Sequence, residues 1–147
     1  MSLNASCPVN VPVPVPEMRN RWKGCADQRG MQLDHERLDV YDLALQFLVL
    51  ANGIIEGLPR GRSHLADQFT RASLSIVLNL AEGAGKHSKL DKRRYYLTAR
   101  GSATESAALL DVCLRLTLLD EAGHKTAKTM LVRIVSMLIK LAQSCEE

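Results

Sequence analysis

An all-α fold is what this sequence predicts: an antiparallel up-down-up-down four-helix bundle behind a disordered, proline-rich N-terminal tail. Three observations carry that expectation. Aromatic residues make up only 4% of the chain against 46% hydrophobic, so the core has to be aliphatic. Beyond residue 36, apolar residues recur at spacings of three and four in four consecutive stretches, the period of a helix with a buried face. Turn-forming residues cluster only between those stretches, which argues against an all-β chain. At 147 residues the chain is one domain's worth, long enough to bury a real core.

Residues 1–30 contain V-N-V-P-V-P-V-P and a short mixed-charge stretch. Alternating proline forbids a helix and favours extended chain, so this segment is expected to be a disordered tail, with the bundle in residues 31–147. The first helix is expected from Glu36 to about Glu56, with Leu38, Tyr41, Leu45, Leu48, Asn52 and Ile55 along one line. Val40, Leu43, Phe47, Leu50 and Ile54 form a second apolar line on the same helix. Gly57-Leu58-Pro59 ends it, a glycine stop followed by a residue that cannot continue a helix.

Ser63 is the expected N-cap of the second helix, which closes at Gly83-Ala84-Gly85. Ser88, with Asp91 three residues on, is the expected cap of the third. Its apolar line runs through Tyr96, Ala99, Ala103, Leu110 and Leu114 to about Leu119. Ala122-Gly123-His124 is the expected last turn. The fourth helix then spans Lys125 to Ser144, with Ala127, Leu131, Ile134, Leu138 and Leu141 inward and Arg133, Ser136, Lys140 and Gln143 outward.

Within the second helix, Arg71, Ser75, Asn79 and Glu82 share one face, and apolar residues flank that polar line on both sides. Such a helix has more to bury than one neighbour in the same chain covers, which predicts self-assembly. If the second and third helices turn near His87, facing residues have numbers summing to about 175. Arg71 then faces Glu105, Glu82 faces Arg94, and Ser75 faces Gly101. The residues Arg71, Ser75, Asn79, Glu82, Arg94, Gly101 and Glu105 are therefore read as a polar seam that sets register. Buried ion pairs contribute specificity more reliably than stability, and no nucleophile, histidine or metal ligand accompanies Arg71 and Glu105.

Charge is unevenly placed. Residues 60–100 hold nine Lys and Arg against three Asp and Glu, while the whole chain carries a net charge of only +3. The cluster Lys86, Lys89, Lys92, Arg93 and Arg94, with Tyr95 and Tyr96 beside it, is the candidate nucleic-acid-binding site, since cations neutralise phosphates and an exposed ring stacks on an unpaired base. Several copies around an assembly would add avidity.

No enzyme signature emerges. Gly83-Ala84-Gly85-Lys86 lacks the first glycine and the Ser or Thr of a phosphate loop, and it closes a helix rather than opening one. The histidines at 35, 64, 87 and 124 show no metal-ligand spacing, and Cys7, Cys25, Cys113 and Cys145 contain no C-x-x-C pair. No catalytic residue, metal or cofactor is expected. The cysteine usage suits a reduced, cytoplasmic protein, and no apolar run approaches a membrane span.

Leu58-Pro59, Gln68, Arg71-Ala72-Ser73, Ser75-Ile76, Asn79-Leu80-Ala81-Glu82-Gly83, Gly101-Ser102-Ala103 and Glu105, in that order, resemble the signature of the 23S rRNA intervening-sequence proteins. The resemblance covers about residues 38–143 and leaves the tail outside. It implies a four-helix bundle assembling as a ring-shaped homopentamer. The family's name comes from members encoded within insertions in ribosomal RNA genes. A related branch includes the accessory variability protein of diversity-generating retroelements, a basic pentamer that engages reverse transcriptase and nucleic acid. This chain departs from that branch in being mildly basic, with Asp34, Glu36, Asp39 and Asp42 near its first helix. The expectation is a non-enzymatic, oligomeric scaffold or accessory factor that touches RNA or DNA. The alternative is a protein-binding partner or adaptor, for example of a reverse transcriptase, without direct nucleic-acid contact.

Overall fold

The computed structural model describes residues 32–146. The expected tail over residues 1–30 lies outside them. Four helices follow in order, α1 (Asp39–Glu56), α2 (Ser63–Ala84), α3 (Lys89–Arg115) and α4 (Glu121–Ser144), and no strand occurs among the described residues. Each helix packs on its neighbour in sequence, and α1 also packs on α4, closing a bundle. Contacts such as Ser75 with Ser102 and Arg93 with Glu146 join helices in antiparallel sense.

The core is aliphatic, as the composition requires. Ile76, Leu80, Leu110, Leu131, Ile134 and Leu138 are fully buried, and Phe47 and Phe69 face each other with ring centroids 6.5 Å apart. That pair explains a difference in α1. Of the two apolar lines, the one through Val40, Leu43 and Phe47 is buried. Leu45 and Asn52, on the other expected line, stand in solvent. Spacing showed two candidate stripes; the large Phe47 side chain, seated on Phe69, selects between them.

The helix boundaries differ in three places. Glu36 lies in a separate 3-10 turn, Asp34–Arg37, whose Leu33 N–H donates to the Glu36 carboxylate at 2.8 Å. Extended backbone at Leu38 then separates this turn from α1. Ser63 is the first residue of α2 rather than its cap, with Arg62 in the capping position. The chain reaches it through Gly61 at φ 90°, a conformation that favours glycine. The third difference is larger. α3 stops at Arg115, Thr117 turns the chain at φ 57°, and Asp120 caps α4 by accepting from the Gly123 N–H at 2.8 Å. Ala122-Gly123-His124 is thus the first turn of α4, not the loop. Gly123 belongs there because a Cβ would stand 2.7 Å from the capping Asp120 oxygen. At the start of α3, Ser88 does accept from the Asp91 N–H, at 3.3 Å.

Buried hydroxyls are all satisfied locally. Ser73 donates to the Phe69 carbonyl at 2.8 Å and Ser106 to the Ser102 carbonyl at 3.0 Å. No buried side-chain polar atom lacks a partner among the described residues, as a stable interior requires.

Candidate nucleic-acid interface and polar seam

The basic turn and the seam both belong to the α2–α3 hairpin. Its register matches the spacing argument: Gln68 meets Glu105, Ser75 meets Ser102, and Gly83 meets Tyr95 and Tyr96. Gly83 makes this possible. A Cβ there would lie 2.9 Å from both the Tyr95 Cβ and the Tyr96 ring, so only a bare backbone lets the helices approach so closely at the turn.

Partners within the seam differ from those expected from height alone. Ser75 Oγ shares a 2.8 Å hydrogen bond with Ser102 Oγ, not a contact with Gly101, and Asn79 donates to the Ser75 carbonyl at 2.8 Å and to its Oγ at 3.0 Å. Glu105 accepts from Gln68 in place of Arg71. Arg71 is exposed and forms no ion pair with a described residue. Gly101 faces open space, with nothing within 4 Å of a Cβ built on it. The physical reason is azimuth. Antiparallel register sets which residues share a height, but Arg71 and Glu105 point outward from their helices and border a groove of about 370 Å³ with Leu74 and Leu78.

The expected Glu82–Arg94 pair is likewise replaced. Glu82 bonds Lys86 at 2.7 Å, one helical turn along its own chain. The hydrogen bond and charge of Lys86 hold the Glu82 carboxyl below the usual range, and Glu82 raises Lys86 in return. Lys86 Nζ also lies 5.1 Å from the centre of the Tyr95 ring, a cation–π geometry. Arg93 is drawn to the end of α4, where its Nη2 pairs with Glu146 at 2.6 Å.

Three cations of the cluster remain without an ion pair to a described residue: Lys89, Lys92 and Arg94. Lys89 and Arg94 are exposed and Lys92 is half-buried. Arg94 borders a shallow depression of about 620 Å³ with Leu90 and Leu97. Tyr96 is core, 4% exposed, and burial raises its phenol pKa above the usual value. Tyr95 is half-buried beneath Lys86. Neither tyrosine presents a free ring for base stacking.

One polar cluster escaped the sequence reading. Asp111 on α3 accepts from Lys128 Nζ at 2.6 Å and bonds His124 Nε2 at 2.7 Å, both on α4. Lys128 first, then His124, hold the Asp111 carboxyl below its usual range. The misplaced last turn hid it, since only a link at residues 116–120 brings Asp111 level with His124. Asp120, with glycine three residues on, was the available signal.

No group of three or more potential metal ligands occurs among the described residues. No helix among them is long and apolar enough to cross a membrane. Cys113 is buried, which raises its thiol pKa, and neither it nor Cys145 is in a disulfide.

The chain is similar in structure to a protein of unknown function from the S23 ribosomal protein family of Bacteroides thetaiotaomicron, with a TM-score of 0.66 and 21% identity over 70% of this chain and 97% of that one. That likeness concerns the fold. No curated protein matches the sequence. The sequence pattern of the 23S rRNA-intervening sequence protein family, however, matches residues 36–140. Since that match takes in all of α1, α2 and α3 and most of α4, the chain belongs to the 23S rRNA-intervening sequence protein family.

Proposed function

We propose that this chain acts without catalysis of its own, as a self-assembling four-helix scaffold or accessory factor that touches RNA or DNA through the turn between α2 and α3. The observation that carries the reading is the set Lys89, Lys92 and Arg94, three cations at one end of the bundle with no ion pair to a described residue. Lys86 and Arg93 belong to the same end but are engaged by Glu82 and Glu146. Three phosphate contacts per copy make for weak binding, and repetition around an oligomer multiplies them. The ring-shaped homopentamer implied by the family resemblance would supply that repetition.

Fluorescence anisotropy with a labelled single-stranded RNA tests the proposal. Binding should weaken with salt, each phosphate contact adding about 0.7 to the log–log slope. The triple variant Lys89→Ala/Lys92→Ala/Arg94→Ala should lose most of that slope while keeping its assembled mass. Glu82→Gln, which releases Lys86, should steepen it. An absence of binding to RNA and DNA at low salt removes the nucleic-acid reading.

One observation favours the adaptor alternative. Leu90, at 74% exposure, is the most exposed large apolar side chain among the described residues and lies beside Arg94 and Leu97. A protein partner would cover it. Binding that survives the triple alanine variant but is lost in Leu90→Ser would favour that partner.

A further inference from the structure

Apolar side chains remain in solvent along the outer faces of all four helices. On α2, Leu74 and Leu78 are 41% and 57% exposed, above the groove that Arg71 and Glu105 border. On α1, Leu45 and Val49 are 38% and 50% exposed, between Asp42 and Glu56. We infer that these two faces cover each other between copies: the outer face of α1 in one copy seats on the α2–α3 groove of a second. The inference rests on the self-assembly proposed above and specifies its surface.

Charge selects α1 as the occupant. Within α1 stand Asp39, Asp42 and Glu56, and no Lys, Arg or His. Among the described residues, Asp42 and Glu56 accept only from the neutral amides of Gln46 and Asn52, one turn away, and neither is paired with a cation. The groove presents Arg71, which is not ion-paired with a described residue, beside Glu105, whose carboxylate accepts from Gln68. The exposed face of α4, Val132 and Ile139, lies among Lys125, Arg133 and Lys140 and would set these cations against Arg71.

Spacing agrees. Asp42 and Glu56 are separated by about 21 Å at helical rise, and Arg71 lies about as far from the end of α2. With the helices antiparallel and Glu56 level with Arg71, Val49 meets Leu78 and Gly53 meets Leu74. A Cβ built on Gly53 has nothing within 4 Å, so bare backbone receives the leucine. Asp42 then comes level with Gly85, next to Lys86 in the turn after α2. The direction is satisfied without further adjustment. In one chain α1 runs antiparallel to α2, and rotation about an axis along the bundle preserves that relation between neighbours. Because the two faces differ, the contact is head-to-tail and closes into a ring or extends as a filament.

Sedimentation velocity on the full chain tests this with Arg71→Glu, Glu56→Arg and their combination. Each single variant should shift the assembly toward the 16.2 kDa monomer, and the double variant should restore the wild-type mass. Singles that remain assembled, or a helical double variant that stays dissociated, would overturn the interface. If charge reversal costs helix content by circular dichroism, the surface pair Val49→Lys and Leu78→Glu reads the same contact. They should dissociate singly and reassemble together, and failure to reassemble overturns the interface. A wild-type chain that sediments as a monomer overturns self-assembly itself, which separates that failure from a misplaced surface.

Discussion

Replacing Gly83 and Gly101 each by alanine should move stability in opposite directions. Both glycines belong to helices of the same hairpin. Gly101 is in the middle of α3, where alanine gains roughly 1 kcal/mol of helix propensity, and Gly83 is in the last turn of α2, where the gain is at most that. Their surroundings differ. At Gly83 the new methyl would stand 2.9 Å from the Tyr95 Cβ and 2.9 Å from the Tyr96 ring. The first contact is tied to the α3 backbone and cannot swing aside, and the second belongs to a ring only 4% exposed. Relief requires α2 and α3 to separate locally, an overpacking cost of about 2–3 kcal/mol. Gly83→Ala should therefore be net destabilising by about 1–2 kcal/mol. At Gly101 a Cβ meets nothing within 4 Å, so the propensity gain of about 1 kcal/mol should be realised.

Urea and thermal unfolding, followed by circular dichroism, measure the difference. At this size 1 kcal/mol corresponds to roughly 3–6 °C in Tm, so the two variants should lie on opposite sides of the wild type. Chain concentration must be matched, since assembly makes apparent stability concentration-dependent. A Gly83→Ala protein as stable as the wild type would show that the hairpin is not packed as tightly as described. A destabilised Gly101→Ala would show that its outer face is covered in the working assembly.

Two further predictions concern the link between α3 and α4. Asp111 has a folded pKa below its ordinary value of 3.8. Its contribution is therefore present above the unfolded pKa and lost as pH falls through the folded value. The pair is exposed, so the effect should be small, about 0.2–1 kcal/mol. Urea midpoints of wild type and Asp111→Asn should converge as pH falls from about 5 to about 2, and a constant gap across that range would contradict the assignment. Asp120→Ala removes the α4 cap and should cost about 1 kcal/mol, with faster hydrogen exchange confined to the first turn of α4. Unchanged exchange there would restore the turn to residues 122–124.

Much of the bundle was legible because helix period and helix termini are local properties. The stop at Gly57, the cap at Ser88 and the inward line Ala127, Leu131, Ile134 and Leu138 depend on neighbours within a few residues, and each appears where the sequence placed it. The hairpin register was legible as well, because a short turn leaves two antiparallel helices one axial alignment. The last turn was missed for an equally local reason. Glycine usually punctuates, but Gly123 leaves space for the Asp120 cap in the first turn of a helix.

The candidate site was harder to read, because ion pairs depend on direction as well as height. Lys86 and Arg93, which look equivalent to Lys89 and Arg94 in sequence, are committed to Glu82 and Glu146. The second partner lies 53 residues away. Sequence by itself determined that this chain forms four amphipathic helices, with a polar line on the second and a basic turn after it, because period, capping and charge count are written residue by residue. Tertiary structure decided that the polar line borders an open groove, that Tyr96 belongs to the core, and which cations lack an intramolecular partner. Those outcomes follow from the azimuth of each helix about its own axis, which is set by how large side chains such as Phe47 and Phe69 pack and not by spacing along the chain.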